Sequence, residues 1–180
     1  MSEEMFVRQC APTLAGVKTG SLFSCPYDTR EGMTEDVRRL NRVLVPKGLR
    51  LRYSEKRVLL YLYRPTELWR DLNDDKAAEI LDAAGYSCTD CDRCVVKLIQ
   101  RLRGNKDFPH EIGLFLSYPP EDVKGFIDNN AANFKYSGLW KVYGDEKRAK
   151  AMFEKFKKCT DIYCRMWQAG VSLDRLAVSA

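Results

Sequence analysis

Two neighbouring segments constrain the fold of this chain more than any others. Leu49-Arg50-Leu51-Arg52-Tyr53 alternates apolar and basic side chains with a strict period of two. That period puts one face of a β-strand on a core and the other in water. Ser54-Glu55-Lys56 supplies a turn, and the stretch from Arg57 to Tyr63 that follows is almost wholly apolar. The pair therefore reads as a β-hairpin whose second strand is the more central, because a strand covered on both faces loses its alternation. A hairpin of this kind needs helices to cover it, which makes the chain α/β or α+β.

The helices are legible from spacing and punctuation. Glu3 to Gln9 reads as a short helix capped by Ser2 and interrupted at Cys10-Ala11-Pro12, because a proline disfavours helical geometry in the residue before it. Ser21 to Cys25 reads as a short extended piece. Thr34 is the expected cap of a helix to Leu44, with Val37, Leu40 and Leu44 at helical spacing and Pro46-Lys47-Gly48 ending it. Pro65 opens a helix to Leu72, and Asp75 to Ala84 forms another that stops at Gly85. Ser87 with Asp90 makes a capping-box-like start for a helix to Leu102. Ile112 to Tyr118 and Leu139 to Tyr143 read as strands, with a short helix from Pro120 through Ile127 between them. Asp145 caps the longest helix, which runs to Gln168 and is closed by Gly170. The expectation is a single domain over residues 1–180, with a mixed sheet of four to five strands, covering helices, a hairpin and a long C-terminal helix.

Composition enters as a set of exclusions. At 180 residues, 45% hydrophobic and 31% charged, the chain suits a packed globular domain rather than a disordered one. Its longest apolar runs are far too short to cross a bilayer. The opening Ser2-Glu3-Glu4 is acidic and no apolar signal region follows, so the expected location is the cytoplasm. A net charge of +5 permits an anionic partner without requiring one.

A single histidine, His110, limits the chemistry further. Any triad or imidazole relay must use it. With Glu111 beside it, His110 is a candidate base for Cys10, a thiol that would need activation to act as a nucleophile. Cys10, His110 and Glu111 are thus the candidate catalytic set. Strand ends are where open α/β sheets place ligands, so Arg64, His110 and Glu111 are also expected beside one polar pocket.

Seven cysteines, an odd number, argue against a disulfide framework. Cys88-Thr89-Asp90-Cys91-Asp92-Arg93-Cys94 contains two successive C-x2-C steps, a spacing by which iron–sulfur proteins present thiolates. Against that reading, the capping signal sets these residues on the first turns of a helix. Cys91 and Cys94 then align with Val95, Leu98 and Leu102 as small apolar seam residues. A basic stretch from Arg38 to Arg64 includes Arg50 and Arg52 on one strand face, with Tyr53, Tyr61 and Tyr63 nearby. A solvated face explains it better than nucleic-acid binding, since no recognised module is present.

Four segments together resemble an uncharacterised family, domain-of-unknown-function family 3793, common in anaerobic Gram-positive bacteria. They are Gln9 to Lys18, Leu60 to Pro65, Phe108 to Phe126, and Trp140 to Asp145 with Cys159-Thr160-Asp161. The resemblance spans Phe6 to Val178. It implies a role in anaerobic metal or redox physiology, through an association with iron-uptake and flavodoxin-type neighbours. Cys10, Arg64, His110, Glu111, Tyr118 and Asp145 fall inside the matching segments, which makes Arg64, Tyr118 and Asp145 ligand-binding candidates. Cys88, Cys91 and Cys94 fall where the family varies, which counts further against the iron–sulfur reading. The leading expectation is a binding or accessory protein for a small molecule or protein partner, its cofactor unspecified. A cysteine-dependent enzyme and a thiolate-ligated metal protein are the alternatives.

Overall fold

The computed structural model describes residues 1–25, 27, 29–54, 59–86, 89–104 and 108–179. In chain order its elements are α1 (Glu3–Leu14), β1 (Gly20–Ser24), α2 (Arg30–Leu44), β2 (Arg50–Ser54), β3 (Leu59–Tyr63), α3 (Pro65–Leu72) and α4 (Asp75–Ala83). There follow α5 (Cys91–Arg103), α6 (Ile112–Phe115), α7 (Pro120–Asp128), β4 (Tyr136–Ser137), β5 (Lys141–Val142), α8 (Glu146–Gln168) and α9 (Leu173–Leu176). The fold is α+β. Its strands form two antiparallel sheets, one of three strands in the order β1-β3-β2 and one of two, β4-β5. Contacts divide the chain into two compact units, Met1–Thr66 with Lys158–Ala180, and Glu67–Lys157.

In the first unit the hairpin forms as its pattern requires. β2 pairs antiparallel with β3, Arg52 opposite Tyr61, and β1 adds to the other edge of β3. Residues 55–58, which include most of the turn and the expected strand start at Arg57, lie outside the described residues. The central position of β3 explains its apolar run. Leu60 and Leu62 enter a core with Phe6, Leu14, Leu40 and Leu51, while Tyr61 and Tyr63 stack on one another, centroids 5.1 Å apart. Both tyrosines are buried, so neither is presented to a base, whereas Arg50 and Arg52 are exposed on β2.

One helix start and one helix end differ from expectation. Thr29, not Thr34, caps α2: its hydroxyl accepts from Gly32 N at 3.1 Å, while the Thr34 hydroxyl donates back to Arg30 O inside the helix. Two threonines five residues apart read alike in sequence as caps, and only the start of the hydrogen-bond ladder separates them. Ser2 occupies the cap position of α1 without a side-chain bond, and α1 continues through Pro12 to Leu14. A proline removes one ladder bond, and here the burial of Cys10, Ala11 and Leu14 outweighs that loss.

In the second unit the expected helices α4, α5 and α7 are present, and Asp74 and Asp90 cap α4 and α5 through their carboxylates. Ser87, the other half of the expected capping box, lies outside the described residues. The expected strand from Ile112 to Tyr118 is overturned. Ile112–Phe115 is a helical turn with Leu114 N donating to Glu111 O at 3.0 Å, followed by Ser117 in the left-handed region at φ 62°. A five-residue apolar run carries no period that separates strand from buried helix. The expected strand Leu139–Tyr143 shrinks to Lys141–Val142, because Gly138 N donates to Trp140 O and turns the chain just before it. The long helix α8 begins in this unit, with the Asp145 carboxylate accepting from Arg148 N at 2.9 Å, and ends in the first. No helix among the described residues is long and apolar enough to cross a membrane.

Candidate functional site

The second unit carries a cavity of about 420 Å³ walled by α6, α7 and the β4–β5 hairpin. Its lining is dominated by rings: Phe108, His110, Tyr118, Phe126 and Trp140, with Leu139 at the rim. Tyr118 and Trp140 stack at 4.5 Å between centroids, and Phe153 of α8 meets Trp140 edge-on at 4.4 Å. Such contacts fix the orientation of each ring beyond what area burial alone would do.

The wall is held by a buried carboxylate. Asp122, on the first turn of α7, accepts from the Trp140 indole Nε1 at 2.7 Å through one oxygen. Its other oxygen accepts from Tyr143 N at 2.8 Å and Gly144 N at 2.7 Å. Three N–H donors therefore satisfy a carboxylate that is almost fully buried, and the hairpin is tied to α7 at the same point. Gly113 permits the close approach of α6 to α7. A Cβ there would lie 2.7 Å from Val123 Cγ2 and 3.0 Å from Tyr118 Cδ2. Burial pushes the Tyr118 hydroxyl above the ordinary phenol range.

A second cavity of about 520 Å³ adjoins the first and shares Phe108 and His110 with it. Its lining is charged: Glu79, Arg101, Glu111, Lys124 and Asp128. Glu111 is buried, accepting from Tyr86 Oη at 3.0 Å and pairing with Arg101 Nε at 2.7 Å. Lys124 and Asp128 pair with one another one helical turn apart. His110 is exposed, with its ring 5.0 Å from that of Phe126.

The sequence-derived candidates thus sort by environment. His110 and Tyr118 line the aromatic cavity, and His110 and Glu111 line the charged one. Asp145 is an exposed helix cap and lines neither. Arg64 and Cys10 belong to the first unit. Arg64 is buried, and its guanidinium donates from Nε to Thr13 O at 2.8 Å and from Nη2 to Leu14 O at 2.9 Å and Val178 O at 2.7 Å. The two α1 carbonyls also accept from Gly16 N and Val178 N, and the dipole at this end of the helix favours a cation. Cys10 is fully buried in the first core. Burial pushes its thiol up, with the charge of Lys18 pulling the other way, which leaves little thiolate for nucleophilic attack.

Cys91 and Cys94 are buried on α5, on the face that buries Val95, Leu98 and Leu102. Cys88 lies outside the described residues. Among the described residues, no group of three histidine, cysteine, aspartate or glutamate side chains is arranged to hold a metal ion.

Asp122, Phe126, Trp140 and Lys141 were not singled out by sequence reasoning as site residues. Asp122 follows Glu121 at a helix start, where acidic residues are routine, so its role has no local signature. The aromatic content of the Phe108–Phe126 and Trp140–Tyr143 stretches was the one available signal.

Comparison with curated proteins and with solved structures found no match. A family model does match, over residues 6–177, under the description Protein of unknown function (DUF3793). With nearly its whole length covered by that match, the chain belongs to this family of unknown function.

Proposed function

We propose that this chain is a small-molecule-binding protein and that its site is the aromatic cavity of the second unit. The observation that carries the reading is the fixed ring wall: Trp140, held through its indole N–H by buried Asp122, stacks on Tyr118 at the edge of a space of about 420 Å³. Ligand sites are typically concave and largely apolar, about 300–1,000 Å³ in volume, with a few convergent polar groups. This cavity fits that description, with flat walls suited to a flat ring.

The setting proposed for this binding role, anaerobic metal or redox physiology, rests on the family resemblance alone. A cysteine-dependent reaction is the weaker reading, because the buried Cys10 thiol is held in its protonated form.

The test is a set of flat-ring fragments titrated into isotopically labelled protein, read at the three indole N–H resonances. Trp140 is expected to shift while Trp69 and Trp167, outside the cavity lining, stay in place. Fragments that bind without moving Trp140, or a set in which none binds, would sink the reading.

A further inference from the structure

We infer that the aromatic cavity selects a planar ring bearing an anionic oxygen group, a carboxylate or a phosphate. This rests on the reading of that cavity as a ligand site and adds the charge of what enters it. The Asp122 carboxylate already accepts three N–H bonds, out of about four positions that a carboxylate offers. Its acceptor capacity toward a ligand is therefore small.

The donors are in the opposite condition. Lys141 donates one bond to Ala131 O at 2.7 Å. The other two N–H bonds of its ammonium group have no acceptor among the described residues. The His110 ring and the Ser137 hydroxyl, both on the cavity lining, likewise have no hydrogen-bond partner among the described residues. Of these three groups the imidazole and the hydroxyl can each donate or accept, whereas the Lys141 ammonium can only donate and carries a fixed positive charge.

The rings themselves raise the opposite possibility, since an aromatic cage also suits a cation. That place is already taken. The Lys141 ammonium lies 5.8 Å from the Phe126 ring centroid and 4.8 Å from that of Phe134. A cationic ligand against Phe126 would meet this charge, whereas an anionic oxygen would pair with it. Volume sets the scale of the ligand: 420 Å³ is near the lower end of small-molecule sites and suits one fused ring system with a single short substituent.

The experiment holds the ring constant and varies the charge. The full chain is titrated calorimetrically with 2-naphthoate, 2-naphthyl phosphate, 2-naphthalenemethanol and 2-naphthylmethylammonium. At least one of the two anions is expected to bind about tenfold tighter than the neutral alcohol, the size of one charge-assisted hydrogen bond. The ammonium compound should be weakest, and the order of the two anions tells carboxylate from phosphate. Lys141→Gln keeps a donor for Ala131 O and removes the charge. It should abolish the preference for the anion while leaving affinity for the alcohol within about twofold. If that variant does not fold, Ser137→Ala and His110→Ala, which each remove a donor from the lining, lower the anion preference in its place. Equal binding of all four probes, or tightest binding of the ammonium, overturns the anion assignment and leaves the cavity as a ligand site. Failure of every probe to bind overturns both.

Discussion

Asp122 shows how much can depend on one side chain. A carboxylate is suited to its position because three N–H groups from two parts of the β4–β5 hairpin region converge on it without any opposing acceptor. Asp122→Asn keeps an oxygen for Tyr143 N and Gly144 N but turns an NH2 group toward the Trp140 indole N–H, donor against donor. The expected loss is about 2–3 kcal/mol of stability in urea unfolding, the cost of a buried charge-assisted bond broken on one side. The Trp140 indole resonance should move in the folded variant. An Asp122→Asn variant as stable as the parent would show that the carboxylate is not what fixes the ring wall. Cys10 makes the contrasting case. Its thiol, buried and pushed up in pKa, is expected to resist iodoacetamide at neutral pH while Cys159 and Cys164, half-buried on α8, are alkylated first. Mass mapping of the labelled sites checks the order. Rapid labelling of Cys10 would revive a nucleophilic role for it.

Arg64 acts at the scale of elements. It follows β3 directly, and its guanidinium spans the last carbonyls of α1 and the backbone of Val178. Gly16, at φ 70°, turns the chain beside it, so that a Cβ there would lie 3.7 Å from the guanidinium carbon. Arg64→Leu leaves three carbonyls without this donor and is expected to cost about 3 kcal/mol or more. Arg64→Lys should recover only part of that, because an ammonium group cannot reproduce the planar fork. Thermal unfolding of both variants measures the difference, and a Tm for Arg64→Lys equal to that of the parent would refute the fork argument. An arginine at a strand end reads in sequence as a ligand-facing group. Its actual partners lie 50, 51 and 114 residues away, and no local pattern announces them.

For the molecule as a whole, a pH dependence follows from Lys18. Burial lowers its ammonium from 10.5 to about 8, with Cys10 opposing. Between about pH 8 and 10.5 the unfolded chain holds a proton that the folded chain has released, so this residue makes stability rise with pH. Below pH 8 both states hold the proton and its contribution is constant. The raised Cys10 thiol works the other way from about pH 9 upward, where the unfolded chain releases a proton the fold retains. Relative to Lys18→Met, the parent protein should therefore gain in Tm from about pH 8 to 9. Parallel Tm curves across that interval would show that Lys18 titrates normally.

What the sequence by itself determined is the set of features written within a few residues of one another. The β2–β3 hairpin follows from one alternating and one continuous apolar run, α4, α5 and α7 from apolar spacing with acidic or proline starts, and α8 from the Asp145 cap with an apolar stripe from Ala149 to Trp167. Periodicity is a local property, and the hydrophobic effect converts it into a buried face wherever that face is covered. The tertiary structure alone decided the rest. Ile112–Phe115 is a helical turn with Ile112, Leu114 and Phe115 buried, and so short an apolar run carries no period by which sequence could choose helix over strand. The ring cavity depends on Asp122 meeting donors 18 to 22 residues away, and Arg64 on carbonyls still more distant. A polar side chain declares its chemistry in the sequence. Which donor or acceptor it satisfies is decided only when distant segments are brought within hydrogen-bonding distance.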